Sequence, residues 1–219
     1  MFERPFRLIV FDWDGTLMDS AAAIVAAIQA ASQDLELPVP DDRSARHVIG
    51  LGLQDALSYL FPELDASGYE SVADRYRWHY LARDHAIPLF DGVLEMVAEI
   101  AAAGILLAVA TGKSRRGLDR ALDATGLAPV FQTTRCADEA FSKPHPAMLL
   151  EIMDELATGA AHTLMVGDTT HDLDMARNAR VASVGVTYGA HSRENLSACA
   201  PLALLDTVSE LRTWFATHA

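Results

Sequence analysis

The stretch RLIVFDWDGTLMDS, residues 7–20, opens with four apolar residues in a row, Leu8, Ile9, Val10 and Phe11, the pattern of a strand buried on both faces. Where the run ends it places Asp12, Asp14 and Asp19. Asp and Gly are common turn residues, which accounts for a strand stopping there. The spacing offers a second, chemical reading. In an extended backbone Asp12 and Asp14 point the same way with Trp13 opposed, so two negative charges meet at an apolar edge. Such a pair is unfavourable unless a cation or a shared proton relieves it.

Outward from this stretch, two kinds of text follow. From Ser20 to about His85 the pattern is helical: AAAIVAAIQAASQDL (21–35), DDRSARHVIG (41–50), LQDALSYLF (53–61) and YESVADRYRWHYLARDHA (69–86), with Gly50 and Gly52 as breaks and Asp19 or Ser20 as the first N-cap. After Gly92 helices and strands alternate: VLEMVAEIAAAG, ILLAVAT, SRRGLDRALDATG, a strand near VFQTT (130–134), PAMLLEIMDELA, HTLMVGD, HDLDMARNA and VASVGVT. That alternation is the signature of βα units and a parallel sheet. The first strand must join this sheet, because alone it cannot satisfy its backbone groups. The predicted fold is therefore α/β, a doubly wound parallel sheet core formed by residues 1–19 and 88–219, with an inserted helical cap over residues 20–87.

Bulk properties narrow the function classes. The 219 residues are 51% hydrophobic and 21% charged, enough to bury a large core. A formal net charge of −13 repels nucleic acid and anionic lipid, so neither is an expected partner. An anionic small substrate would need local positive charge at its site. The two cysteines, Cys136 and Cys199, are too few for a disulfide framework and read as small hydrophobes in a reducing compartment. MFERPF (1–6) has the character of neither a signal peptide nor a transit sequence. The longest apolar stretches, AAAIVAAIQAA (21–31) and IAAAGILLAVA (100–110), fall short of the roughly 20 residues that span a bilayer. A cytoplasmic protein is expected, with its oligomeric state left open.

Open parallel sheets bind ligands outside the carboxyl ends of their strands. The first strand ends in Asp12 and Asp14, ILLAVA (105–110) in Thr111-Gly112-Lys113, and HTLMVG (162–167) in Asp168, with Asp172 four residues on; Lys143 stands in FSKPHP (141–146). Asp12, Asp14 and Asp168 form a hard-oxygen set suited to Mg²⁺, which also cancels their repulsion. Thr111 offers a hydroxyl and backbone N–H groups to a phosphate, and Lys143 the local positive charge. Singly, Thr111, Asp168 and Asp172 read as helix caps and Lys143 as a solvated lysine. One phosphate and one cation explain them together. His145 and His171 are assigned to the surface or to a supporting position. Two nucleotide motifs fail: TGKS (111–114) has Leu107 where the phosphate-loop glycine belongs, and GLGLQD (50–55) lacks the third glycine and the preceding strand of a dinucleotide site.

In order and spacing, DWDGT (12–16), Thr111, Lys143 in SKPHP and GDTTHD (167–172) resemble the four motifs of the haloacid dehalogenase superfamily, in its capped, phosphoglycolate phosphatase-like branch. The resemblance implies hydrolysis of a small phosphorylated metabolite, such as phosphoglycolate or a sugar phosphate, in two steps. Asp12 is then the nucleophile that forms an aspartyl-phosphate and Asp14 the general acid and base. Mg²⁺ is held by Asp12, the backbone carbonyl of Asp14, Asp168 and Asp172, while Thr111, Gly112 and Lys143 bind the phosphate. Asp14 argues against dehalogenation, which needs no acid for a departing halide. The absence of lysine from residues 20–85 argues against the phosphonatase branch, which uses a cap lysine. A sugar phosphomutase is the nearest alternative, and a non-catalytic phosphometabolite-binding module a more distant one. By the same resemblance substrate choice lies in the cap, near Gly50 to Leu53, where Arg43, Arg46 or His47 would read a carboxylate or hydroxyl.

Overall fold

The computed structural model describes residues 6–82 and 87–218. Six parallel strands form one sheet in the order β3-β2-β1-β4-β5-β6, with β1 at Leu8–Phe11, β2 at Leu106–Thr111, β3 at Thr133–Cys136, β4 at Thr163–Gly167, β5 at Ala182–Val186 and β6 at Ala203–Leu205. This is the doubly wound arrangement expected from the alternation of strands and helices. β1 lies centrally between β2 and β4, with Phe11 in register with Val109 on one side and Val166 on the other. Connections therefore run outward in both directions from β1, and the reversal of strand order opens a crevice at its carboxyl end.

The unbroken apolar run of β1 has a direct cause. Ile9 and Phe11 project to one face, where Met96 and Val97 of α5 (Val93–Ala102), Leu118 of α6 (Arg115–Thr125), and Leu211 and Phe215 of α10 (Val208–His218) cover them. Leu8 and Val10 project to the other, against Met148, Leu149 and Ile152 of α7 (Ala147–Glu155) and Met175 and Ala176 of α8 (Thr170–Asn178). Both faces are dry, so no polar alternation is tolerated; each large side chain contributes about 1.5–3 kcal/mol by its burial.

Between β1 and α5 stand α1 (Ala21–Asp34), α2 (Asp42–His47), α3 (Leu53–Leu60) and α4 (Ala66–Leu81). They bury surfaces against one another: Ile24, Val25 and Ile28 of α1 meet Ala45, Val48, Ile49 and Tyr80, and Leu57 and Phe61 meet Val72 and Ala73. Asp41 and Asp65 cap α2 and α4, accepting from Ser44 N at 2.7 Å and Gly68 N at 2.9 Å. The chain leaves and re-enters the sheet region along one seam: Asp19 N donates to Pro88 O at 2.9 Å and Phe90 N to Leu17 O at 3.0 Å. The end of the helix read to Ala86, and residues 1–5 of the segment read as lacking a leader, lie outside the described residues.

β3 begins at Thr133, later than the VFQTT pattern places it, because Phe131 turns into the core with its ring 6.4 Å from that of Trp13. β6 escapes sequence reading because a strand of three residues carries no period, and α9 (Arg193–Ala198) and α10 lie beyond VASVGVT, the last segment read above. Among the described residues no helix is long and apolar enough to cross a membrane.

Candidate active site

The carboxyl ends of β1, β2 and β4 converge in the crevice. Asp12 follows β1 and is fully buried; its Oδ1 accepts from Trp13 N at 2.7 Å and lies 2.8 Å from Lys143 Nζ. Its Oδ2 is buried with no hydrogen-bond partner among the described residues. Asp168, just after β4, accepts from Thr16 Oγ1 at 2.8 Å and from Ala190 N at 2.7 Å. Asp172 divides its two oxygens between two tasks. Oδ2 accepts from Thr169 N at 3.1 Å and Thr169 Oγ1 at 2.7 Å, closing a capping box at the start of α8, while Oδ1 lies 2.6 Å from Lys143 Nζ. The capping role and the site role therefore coexist in one carboxylate.

Carboxylate oxygens of Asp12, Asp168 and Asp172 all lie within 4.8 Å of one another. Burial drives the Asp12 carboxyl well above its ordinary range, with Lys143 opposing, and pushes Asp168 up to about 7, helped by the charge of Asp172. Burial disfavours the Lys143 ammonium, yet Asp12 and Asp172 outweigh it and hold the lysine protonated. With all three carboxylates ionised, the one buried ammonium facing them leaves two negative charges in excess. A divalent cation restores balance, the donors are hard oxygens, and the unpartnered Oδ2 of Asp12 gives it a ligand. The residues present thus fit Mg²⁺. The backbone is shaped around them: Gly15 has φ +79°, and a Cβ there would lie 2.2 Å from Asp168 Oδ2.

Asp14 is not part of this cluster. Its Oδ1 accepts from Ser20 Oγ at 2.6 Å and from Lys113 Nζ at 2.9 Å. Ser20 occupies the N-cap position of α1 but makes no side-chain cap, its hydroxyl being turned to Asp14 instead. Lys113 also donates to Tyr80 Oη of α4 at 3.0 Å. Burial works against the Lys113 charge, but Asp14 prevails and its pKa is raised. Thr111 is the last residue of β2, four before α6, whose N-cap is Ser114, so it does not cap that helix; its Oγ1 accepts from Lys113 N at 3.2 Å. Gly112 passes so near the helical unit that a Cβ would lie 2.5 Å from Leu51 O and 2.6 Å from Gly50 O. Arg46 lies on α2, 4.0 Å from Asp42, and does not line the cavity described below.

A second contact joins α2 to the sheet. The carbonyl of His47 accepts from His171 Nε2 at 2.7 Å and from His191 Nε2 at 3.2 Å, while His191 Nδ1 accepts from Thr170 N at 3.0 Å. His171, read as a surface or supporting residue, is half-buried at this contact. Burial lowers the pKa of His171 and pushes that of His191 down to about 4. Between the sheet and the helical unit lies a cavity of about 880 Å³ that includes Asp14, Gly112 and Lys113 in its lining.

The family model described as Haloacid dehalogenase-like hydrolase matches residues 9–186. The chain belongs to this family. As a haloacid dehalogenase-like hydrolase it is 40% identical over 210 residues to the Dickeya dadantii protein named "Probable phosphatase IndB", covering 93% of this chain and 91% of that one. It is 34% identical over 224 residues to the phosphoglycolate phosphatase of Vibrio parahaemolyticus, covering 96% of each. A hydrolase from Pseudomonas syringae, 22% identical, superposes with a TM-score of 0.89 over 97% of this chain and 98% of that one, and so shares the fold. Within this haloacid dehalogenase-like chain, sequence reasoning missed Thr16, Ser20, Lys113 and His191. Lys113 had a visible signal, standing two residues after Thr111 at a strand end, and Thr16 closes the DWDGT motif without a role assigned to it; Ser20 and His191 have only tertiary partners to mark them.

Proposed function

We propose that this protein is a Mg²⁺-dependent phosphomonoesterase that passes the phosphoryl group through Asp12. The observation that carries the reading is the buried Asp12 Oδ2, unpartnered beside Lys143 and within a cluster of carboxylates. Bound Mg²⁺, held by Asp12, Asp168 and Asp172 together with the Asp14 carbonyl, would neutralise these carboxylates and the incoming phosphate. Asp12 attacks phosphorus, and the bond from phosphorus to the ester oxygen breaks as Asp14 gives that oxygen a proton. Water then attacks the phosphorus of the aspartyl-phosphate and gives a proton to Asp14, the bond from phosphorus to the Asp12 oxygen breaks, and inorganic phosphate leaves with the Asp12 carboxylate restored. Lys143 and the hydroxyl of Thr111 hold the phosphoryl oxygens in line. Lys113 and Ser20 hold the Asp14 carboxyl in place. The helical unit acts as a cap, closing through Gly50 and Leu51 against Gly112 to exclude bulk water.

The test is release of inorganic phosphate from a panel of phosphorylated metabolites and 4-nitrophenyl phosphate. Activity is expected in Mg²⁺ and lost in EDTA and in Asp12→Asn. Turnover that survives Asp12→Asn removes the reading. Interconversion of sugar phosphates, dependent on a bisphosphate, in place of phosphate release would identify a phosphomutase.

A further inference from the structure

We infer that the substrate carries a bulky, largely apolar, ring-bearing alcohol on its phosphate, and that Phe141 selects it by lying against the ring. This rests on the phosphomonoesterase reading and names its substrate class. A cavity of about 880 Å³ falls in the range, roughly 300–1,000 Å³, that encloses drug-sized ligands. A two-carbon ester fills only a small part of it. Much of the lining contributed by the helical unit is apolar or aromatic, with Leu51, Leu53, Leu60 and Tyr76 half-buried and Tyr80 reaching Lys113. Such a lining gains nothing from a short polar acid and much from covering apolar surface.

The charges in the lining point the same way. Four carboxylates and four cationic side chains contribute to it, and at least two of those cations are already paired, Lys113 with Asp14 and Arg77 with Asp74, each at 2.9 Å. No excess positive charge is gathered for a second carboxylate. Phe141 supplies the independent observation. It stands two residues before Lys143, lines the cavity from the sheet side, and is 71% exposed, the most exposed large hydrophobic side chain among the described residues. Among the described residues its ring meets one aromatic neighbour, His145, with centroids 4.6 Å apart. A large apolar ring that lines the cavity and stays 71% exposed contributes little to packing the fold, whereas a ring on the leaving group would cover it. Binding energy gathered there, remote from phosphorus, is available to raise turnover.

The experiment compares kcat/KM for riboflavin 5′-phosphate and glycerol 3-phosphate, both alkyl esters, so leaving-group acidity does not bias the ratio; phosphoglycolate is the third substrate. The ratio of the first to either of the others is expected to exceed about tenfold and to fall about tenfold in Phe141→Ala, recovering in Phe141→Tyr. Leu53→Trp, which narrows the cavity from the helical unit, should lower the same ratio. A wild-type ratio near one, a preference for phosphoglycolate, or equal loss on all substrates in Phe141→Ala overturns the inference while leaving the phosphomonoesterase reading in place. Absence of phosphate release from every substrate, 4-nitrophenyl phosphate included, overturns both.

Discussion

The ammonium of Lys113 lies 2.9 Å from Oδ1 of Asp14, with only about 10% of either side chain exposed, at the boundary between the sheet and the helical unit. Because Lys113 also binds Tyr80 Oη of α4, one cation ties the proposed acid–base carboxylate to the helical unit. The pair therefore couples the position of the helices to the geometry of the chemical step.

Replacing Lys113 with Met leaves Asp14 nearly buried without its cation. Removing one partner of a buried pair destabilises by about 3–5 kcal/mol, which is an upper bound here because both groups keep some solvent. A fall in kcat of about tenfold to a hundredfold is expected, since general acid–base assistance is typically worth at least that much. Urea denaturation and steady-state kinetics of Lys113→Met measure the two effects separately; unchanged kcat would show that Asp14 needs no such support.

Metal-free protein holds Asp12, Asp168 and Asp172 against Lys143 alone, so Mg²⁺ should stabilise the fold itself. At a hundred times its Kd the gain is about 2.7 kcal/mol, read as a rise in Tm over protein in EDTA. Asp168→Asn removes one of the crowded charges, and should raise the Tm in EDTA while shrinking the Mg²⁺-dependent rise. An undiminished rise in that variant would place the ion elsewhere.

Protonation of His191 should weaken the fold in acid. Its pKa is pushed by burial from the ordinary 6.5 down to about 4, and both ring nitrogens are engaged in the neutral form, Nδ1 accepting from Thr170 N and Nε2 donating to His47 O. A group depressed in the folded state contributes its full stability above the unfolded pKa of 6.5 and loses it as pH falls through 6.5 toward 4. The contribution is at most about 3 kcal/mol. His191→Gln should flatten this part of the difference between urea midpoints at pH 7.5 and pH 5.0. If wild type and variant lose stability in parallel over that interval, the imidazole is not the titrating group.

Gly112→Ala tests closure. The added Cβ would sit 2.5 Å from Leu51 O, a backbone atom, so the loop carrying Gly50 and Leu51 has to move away. The expected result is at least a tenfold loss of kcat, from water admitted to the site, with a Tm only a few degrees below wild type because the sheet core is untouched. Retention of full activity would mean that close approach of this loop is dispensable.

What could be read from the chain alone was whatever local physics enforces. Leu8 to Phe11 announced a strand buried on both faces because each of its side chains has to be apolar, and Asp12 and Asp14 stood out because, beyond what a turn asks for, they put two like charges on one side of an apolar edge. The alternation of strands and helices then required a parallel sheet with the strand ends together, which brought Asp12, Thr111 and Asp168 to one edge before any distance was known. The division of labour inside that edge was not legible. Ser20 reads as a helix cap and is turned to Asp14; Asp172 reads as a cap and also faces Lys143; His191 belongs to no motif yet holds the His47 carbonyl. In each case the partner is chosen by which atoms the folded backbone brings within about 3 Å, and that depends on how whole elements pack, over separations of up to 144 residues for His47 and His191. Residue type and period determined the architecture and the strand ends where chemistry gathers; only the tertiary structure decided which carboxylate meets which cation, because local propensity carries no information about contacts made across the fold.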